Sequence, residues 1–233
     1  MTAAAKDISQ SVPRPASRLA LLWGSAIGKK ALMAVTGLVL LGYVFVHMLG
    51  NLQVFAGPAK INAYARFLHE APELLWAVRA VLLLAVGVHV VAGLQLYLAR
   101  EEARPVAYHD YRPRASSTAS RTMIWSGALI FAFVVYHLLD LTVGVANPDF
   151  RAGDVYHNVL VSFGRLAGAV AYVVAMVGLG FHLWHGVYSL FQSLGLSNRR
   201  ITPTVQRLAA GLAVLLTLGF ASIPLAVIVG IVG

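Results

Sequence analysis

The chain has 233 residues, 59% of them hydrophobic and only 12% charged, with a mean hydropathy of +0.75. Soluble domains carry about twice that charged fraction, so much of this surface faces lipid. Cysteine is absent, which excludes disulfides, thiolate metal sites, iron–sulfur clusters held by this chain and thioether-linked haem, and the formal charge of +9 is scattered between apolar runs in a way that suits lipid headgroups and membrane topology, not nucleic acid.

Residues 1–28 are polar and proline-bearing, and the first apolar run begins only near Ala31, with no processing site behind it. They read as a cytoplasmic N-terminal segment, helical in part from Ser17, and not as a secretory signal. Residues 29–233 read as a single transmembrane domain. A span needs about 20 apolar residues, and five runs qualify: 31–49, 74–99, 122–146, a run inside 166–198, and 208–232. Breakers separate them at Gly57-Pro58, Pro105 with Pro113, Asn147-Pro148 and Pro203. Segment 62–73 is expected as a loop just outside the bilayer.

Charge sets the orientation. The N-terminal segment and the loops after spans two and four hold 13 Lys and Arg, among them Lys29, Lys30, Arg100, Arg112, Arg114, Arg121, Arg199 and Arg200; the opposite side holds five: Lys60, Arg66, Arg79, Arg151 and Arg165. The positive-inside rule then puts the N-terminus inside and the C-terminus outside. The inner loop 100–121 has two prolines and no apolar face, so a partner is expected to order it.

Eight histidines carry the functional signal. His47, His89, His137 and His182 fall one in each of the first four spans, with His185 one turn after His182 and none in the fifth span. His69, His109 and His157 fall in loops and read as solvated side chains. A single intramembrane histidine serves equally well as interhelical glue, but four helices carrying one each point to ligands. Polar groups at membrane depth are costly and usually functional, and neutral imidazole binds haem iron well.

Glycines flank these histidines: Gly93 and Gly186 follow His89 and His182 by four residues, Gly42 and Gly50 bracket His47, and Gly178 and Gly180 precede His182. They suit either a flat macrocycle or close helix packing. His47 lies 17 residues beyond Lys30 and His137 lies 16 beyond Arg121, ~25 and ~24 Å deep at the helical rise, so these two match near the outer face. His89, 11 residues before Arg100, lies ~16 Å from the inner face. One haem near each face follows. In the fourth span depth favours His185 as the partner of His89, whereas the histidine-to-glycine spacing favours His182.

The segments HMLGNLQ at His47, HVVAGLQLYL at His89, YHLLDL at His137 and FHLWHGVYSLFQSLGL at His182 together resemble the five-helix, di-haem cytochrome b anchor of succinate dehydrogenase and fumarate reductase. This is the complex II family in the form with one fused anchor subunit, and the similarity runs from about Lys29 to the fifth span. The resemblance implies an all-α membrane protein with a haem-binding four-helix bundle and a fifth helix. It implies two b haems, the proximal one on His89 and His182 and the distal one on His47 and His137, with His185 beside the proximal haem, near a propionate or quinone. It further implies a flavoprotein and an iron–sulfur subunit as partners, a membrane quinone (menaquinone) as substrate, a cytoplasmic-membrane location, and a complex able to form a higher oligomer. Dicarboxylate chemistry belongs to the partners, because this chain has no flavin or dinucleotide fingerprint.

Two quinone regions are expected. Outside the bilayer, Tyr64, His69, Glu70 and Glu73 stand near the distal haem, where a carboxylate or imidazole could accept protons. Inside, Ser25, Lys29, Lys30 and Trp184 could form a proximal pocket. Asp140, an acidic residue within a span, is expected near His137 and close enough to the outer face to be solvated. On residues alone two other classes stay open: a di-haem quinol cytochrome of another respiratory enzyme, and a haem-free membrane scaffold or small transporter.

Overall fold

A computed structural model describes residues 17–103 and 118–233, and among them every regular element is a helix. Expectations that fall on Lys6, Arg14, Arg104, Pro105, His109, Arg112, Pro113 and Arg114 lie outside the described residues.

Ser17 accepts the Ala20 amide at 3.1 Å, capping α1 (Arg18–Gly24). Ser25 is extended and caps α2 (Ala26–Asn51) by accepting the Gly28 amide at 3.0 Å. The chain doubles back so tightly that a Cβ on Gly28 would stand 2.0 Å from the Leu22 carbonyl oxygen. Only glycine fits there. A 3₁₀ turn (Leu52–Ala56) leads to α3 (Pro58–His69), then α4 (Pro72–Glu102), α5 (Thr118–Arg121) and α6 (Met123–Leu138). A π-helical turn (Leu139–Val143) extends α6, and α7 (Val155–Gly164), α8 (Leu166–Ser193) and α9 (Thr202–Ile228) follow.

Five helical stretches are long and apolar enough to cross a membrane: Ala26–Ala56, Pro72–Arg100, Met123–Val143, Leu166–Ser193 and Thr202–Ile228. The chain is an all-α multi-pass membrane protein. Its apolar residues largely face outward: Leu83, Leu84 and Trp125 are each more than two-thirds exposed, which in water would be untenable and in lipid is expected.

Contacts fix the antiparallel order. Met33 approaches Gly93, and Thr36 approaches His89, so α4 runs back along α2. Ser126 meets His182 and Phe133 meets Tyr172, so α8 runs back along α6. Helix α8 is the hub, packing on α2, α6 and α9. We call the side where α2, α6 and α9 begin the near side, and the opposite one the far side.

The structure departs from expectation in three places. Segment 62–73 is not a loop, because Pro58 sits in the first turn of α3, where a missing N–H costs nothing, after Gly57 at φ 87°. Pro203 likewise starts α9 instead of preceding it. The connection after Asn147 also contains a helix, α7, capped by Asp154, whose Oδ1 accepts the His157 amide at 3.1 Å.

Helices α3 and α7 cover the far end of the bundle. Val54, Ile61, Val159, Phe163, Ala169, Tyr172 and Ile223 form a buried cluster there. Asn62 ties the layers polar-to-polar: its amide donates to Asp154 Oδ1 at 2.9 Å and its carbonyl oxygen accepts the Tyr156 amide at 3.0 Å. These bonds, the Asn62 amide first and the His157 N–H next, hold the Asp154 carboxyl below its ordinary value.

A candidate site built on paired histidines

Helix packing brings the four span histidines together in two pairs. On the near side His89 of α4 and His182 of α8 have ring centres 6.3 Å apart, inclined at 58°. On the far side His47 of α2 and His137 of α6 are 5.8 Å apart and nearly perpendicular, at 83°. Two imidazole nitrogens on opposite sides of one metal ion stand about 4 Å apart at bond lengths of about 2 Å, which puts ring centres about 6 Å apart. Both pairs meet that spacing. Among the described residues no group of three or more His, Asp or Glu converges, so the arrangement offers two nitrogens per site, the donor set of a haem iron with two axial imidazoles.

The tautomers fit as well. Thr36 Oγ1 donates to the Leu32 carbonyl at 2.7 Å and lies 3.2 Å from His89 Nδ1. Ser126 Oγ donates to the Met123 carbonyl at 3.1 Å and lies 3.2 Å from His182 Nδ1. Tyr172 O–H donates to Asp140 at 3.0 Å and lies 3.1 Å from His137 Nδ1. Each hydroxyl has spent its one proton on a carbonyl or carboxylate, so it can only accept from the imidazole. The proton therefore sits on Nδ1, and Nε2 keeps the lone pair a metal needs. His47 instead stacks on Tyr43 at 5.3 Å and 16°.

Thr36, Ser126 and Tyr172 escaped the sequence reading. A signal for the first two exists: Thr36-Gly37 precedes His47, and Ser126-Gly127 precedes His137, by the same eleven residues. An aromatic residue, Tyr43 or Phe133, stands four before each histidine and stacks on it. Gly87 and Gly180 stand two before His89 and His182, just as Gly93 and Gly186 stand four after. Thus α2–α4 and α6–α8 are two copies of one pattern. Within each copy the hydroxyl of the first helix holds the histidine of the second, and each copy gives one histidine to each pair.

The glycines divide by use. A Cβ on Gly37 would stand 3.3 Å from His89 Cε1, and one on Gly127 3.6 Å from His182 Cε1, so these two let the rings lie against the neighbouring helix. Gly50, Gly178 and Gly180 admit Tyr64, Leu129 and Thr217 and serve helix packing, while Gly93 lies near Met33. Among the described residues, nothing beyond their own helix backbone stands within 4 Å of a Cβ built on Gly42 or Gly186.

The other predicted residues are not gathered into one site. His182, not His185, is the ring beside His89; His185 is half-buried one turn nearer the near side. Tyr64 packs on Gly50, while His69 and Glu70 are exposed at the end of α3, His69 Nδ1 lying 2.8 Å from its own Ala65 carbonyl. Lys29, half-buried, and Lys30, exposed, lie at the other end of the bundle, where Ser25 is occupied in capping α2 and Trp184 is 46% exposed. His157 is not simply solvated: its Nε2 lies 2.9 Å from the Asp149 carboxylate. Asp140 is 0% exposed, which corrects the expectation of a solvated carboxylate. The π-helical turn swings it inward, toward Ser162 and Tyr172.

A family model described as the succinate dehydrogenase/fumarate reductase transmembrane subunit matches residues 100–221, just over half of the chain. The match includes His137, His182 and His185 and begins after His47 and His89. Comparison with curated proteins and with solved structures returns no match.

Proposed function

This chain belongs to the succinate dehydrogenase/fumarate reductase transmembrane subunit family, and we propose that it is the di-haem anchor of such an enzyme. In this reading it passes electrons between an iron–sulfur subunit and a membrane quinone, with menaquinone the expected one. The observation that carries the reading is the two facing imidazole pairs, with ring centres 5.8 and 6.3 Å apart, which would hold one haem iron each. The internal repeat extends the family's pattern from the matched half into α2 and α4, which supply His47 and His89.

His89 and His182 would hold the near-side haem, and His47 and His137 the far-side one. Bound there, the haems supply reversible one-electron transfer. The chain's own residues do the rest. Thr36, Ser126 and Tyr172 fix ring orientation and leave Nε2 unprotonated; the flanking apolar helices keep water from the rings. His185 would line the near-side haem without ligating it. Lys29 and Lys30 mark a near-side quinone region, and Tyr64, His69 and Glu70 a far-side one whose imidazole and carboxylate could take protons.

The excess of Lys and Arg at the near side supports placing it in the cytoplasm of a cell whose cytoplasmic membrane the chain spans. On that placement residues 1–28 are the cytoplasmic segment, 29–233 the membrane domain, and the C-terminus lies outside. The flavoprotein and iron–sulfur subunits dock on the near side, and succinate or fumarate is handled there. A pyridine haemochrome assay on the purified protein should give two haem b per chain, both low-spin. One haem or none would overturn the reading, and none would favour a haem-free scaffold.

A further inference from the structure

We propose that Asp140 and Tyr172 are positioning residues that set the redox potential of the far-side haem through its ligand His137. The inference rests on the haem reading and goes beyond it, because nothing in that reading requires a carboxylate behind a ligand.

Asp140 is a fully buried carboxylate, and burial of a charge persists only where partners compensate it. Its Oδ2 accepts two hydroxyl protons, from Ser162 at 2.5 Å and from Tyr172 at 3.0 Å. The Arg165 guanidinium stands 3.5 Å from Oδ1, which has no hydrogen bond of its own. Three elements converge: the π-helical turn brings Asp140, α7 brings Ser162 and α8 brings Tyr172. Phe133, Phe163 and Tyr136 clamp the Tyr172 ring edge-on at 4.9, 4.6 and 5.8 Å. Its hydroxyl donates to Asp140 and faces His137 Nδ1, with the Ser162 hydroxyl also within reach.

A directed chain results, in which His137 Nδ1–H donates to Tyr172, and Tyr172 donates to Asp140. Each step leans on the negative end, and polar chains of this kind strengthen one another. The imidazole becomes a stronger donor at Nε2, which favours the higher oxidation state of a bound iron. The near pair has no such backing: Thr36 and Ser126 end on neutral backbone carbonyls. The device is therefore specific to one haem of two.

The test is a spectroscopic redox titration of the intact purified complex, resolving both haems, for wild type, Tyr172→Phe, Asp140→Asn and Ser162→Ala. Tyr172→Phe and Asp140→Asn should raise the far-side midpoint and leave the near-side one unmoved. At fixed potential the ratio of reduced to oxidised far haem should rise about tenfold, the order expected for one charge-assisted hydrogen bond and about 59 mV for a one-electron couple. Ser162→Ala leaves the carboxylate hungrier for the Tyr172 proton and should lower the same midpoint. If Tyr172→Phe loses the far haem, Asp140→Asn decides; if both lose it, Ser162→Ala decides. An unmoved far midpoint in the deciding variant, or both haems moving together, overturns the proposal. A wild-type complex without a far-side haem would instead overturn the di-haem reading beneath it.

Discussion

The near and far histidine pairs are built on one pattern and finished in two ways. The near pair is held within each helix copy: a Thr or Ser on one helix reaches the histidine on the next, its own proton returned to its own backbone. The far pair stands one layer from α3 and α7, and its His137 is held through Tyr172 by a buried carboxylate on the π-helical turn. Repetition of the helices thus brings two histidines face to face twice, while irregular backbone at one end adds a buried carboxylate that the repeat does not contain. Where a duplicated scaffold is asymmetric, the asymmetry marks the place to look for distinct function.

The comparison breaks most sharply at the ligands. His89→Ala and His182→Ala should each abolish the near-side haem and spare the far one, and His47→Ala and His137→Ala should do the reverse. His185→Ala should keep both haems, with altered near-side quinone kinetics. Low-temperature difference spectra resolve the two. Loss of the near haem in His185→Ala with retention in His182→Ala would reassign the ligand on α8.

A smaller effect tests whether the repeat's hydroxyls act as argued. Thr36→Val and Ser126→Ala should weaken near-haem affinity by about 10- to 100-fold and leave the far haem in place, while Thr36→Ser retains it. Haem transfer to a competing apoprotein measures this. The adjacent glycines sharpen the comparison between the two copies. Gly37→Ala puts a methyl 3.3 Å from the His89 ring and should disturb the near-haem spectrum, whereas Gly127→Ala, at 3.6 Å, is ordinary contact and should be silent. Equal effects would mean that the rings are less closely held than the structure shows.

The two sides also differ in charge, and the next prediction uses it. Neutralising Arg112 and Arg114 together should leave insertion and both haems intact, since topology follows the summed bias of the near side. If those residues dock the soluble subunits, co-purification should fall, and fall further at high ionic strength where surface attraction is screened. Unchanged retention at both salt concentrations leaves them as a topology signal alone.

Apolar runs told where the spans lie because lipid imposes a length and excludes charge. Counting residues from flanking charges paired His47 with His137 in depth, because helical rise is constant. In the fourth span depth preferred His185, whereas the His182 ring is the one beside His89; α8 ends as helix at Ser193 and then turns, which sets His182 as far from its inner end as His89 is from Arg100. Thr36 and Ser126 were hidden in apolar runs, where a small hydroxyl beside a glycine reads as packing; they stand out only when α2 and α6 are laid over one another. The Asp140 network was illegible for a different reason. Its partners lie 22 and 32 residues away on two other helices, and nothing local predicts the π-helical turn that turns the carboxylate inward. Helices α3 and α7 were missed because Gly57-Pro58 and Asn147-Pro148 read as breakers, although Pro58 and Asp154 are good helix starters.

The smallest expected effect concerns the lid over the far pair. Asp154 caps α7 and bonds Asn62 of α3, so Asp154→Ala removes a cap and the one side-chain bond linking those two residues. An N-cap loss costs about 1 kcal/mol, and none of the four span histidines is touched, so both haems should remain. The lid should loosen: amide exchange should quicken in α7, first at its N-terminal residues Val155 and Tyr156, with the near side unchanged. The pH dependence has a definite sign. The carboxyl is held below its ordinary value of 3.8 in the folded chain, so its contribution is present above that value and lost as pH falls through the lower, folded one. Wild type and Asp154→Ala should therefore differ in lid exchange at neutral pH and converge only once pH has fallen below that depressed, folded value. Asn62→Ala should give the same difference at neutral pH. If Asp154→Ala instead disturbs the far-haem spectrum, the lid and the far pair form one unit, and the asymmetry between the two ends is larger than the ligand contacts alone disclose.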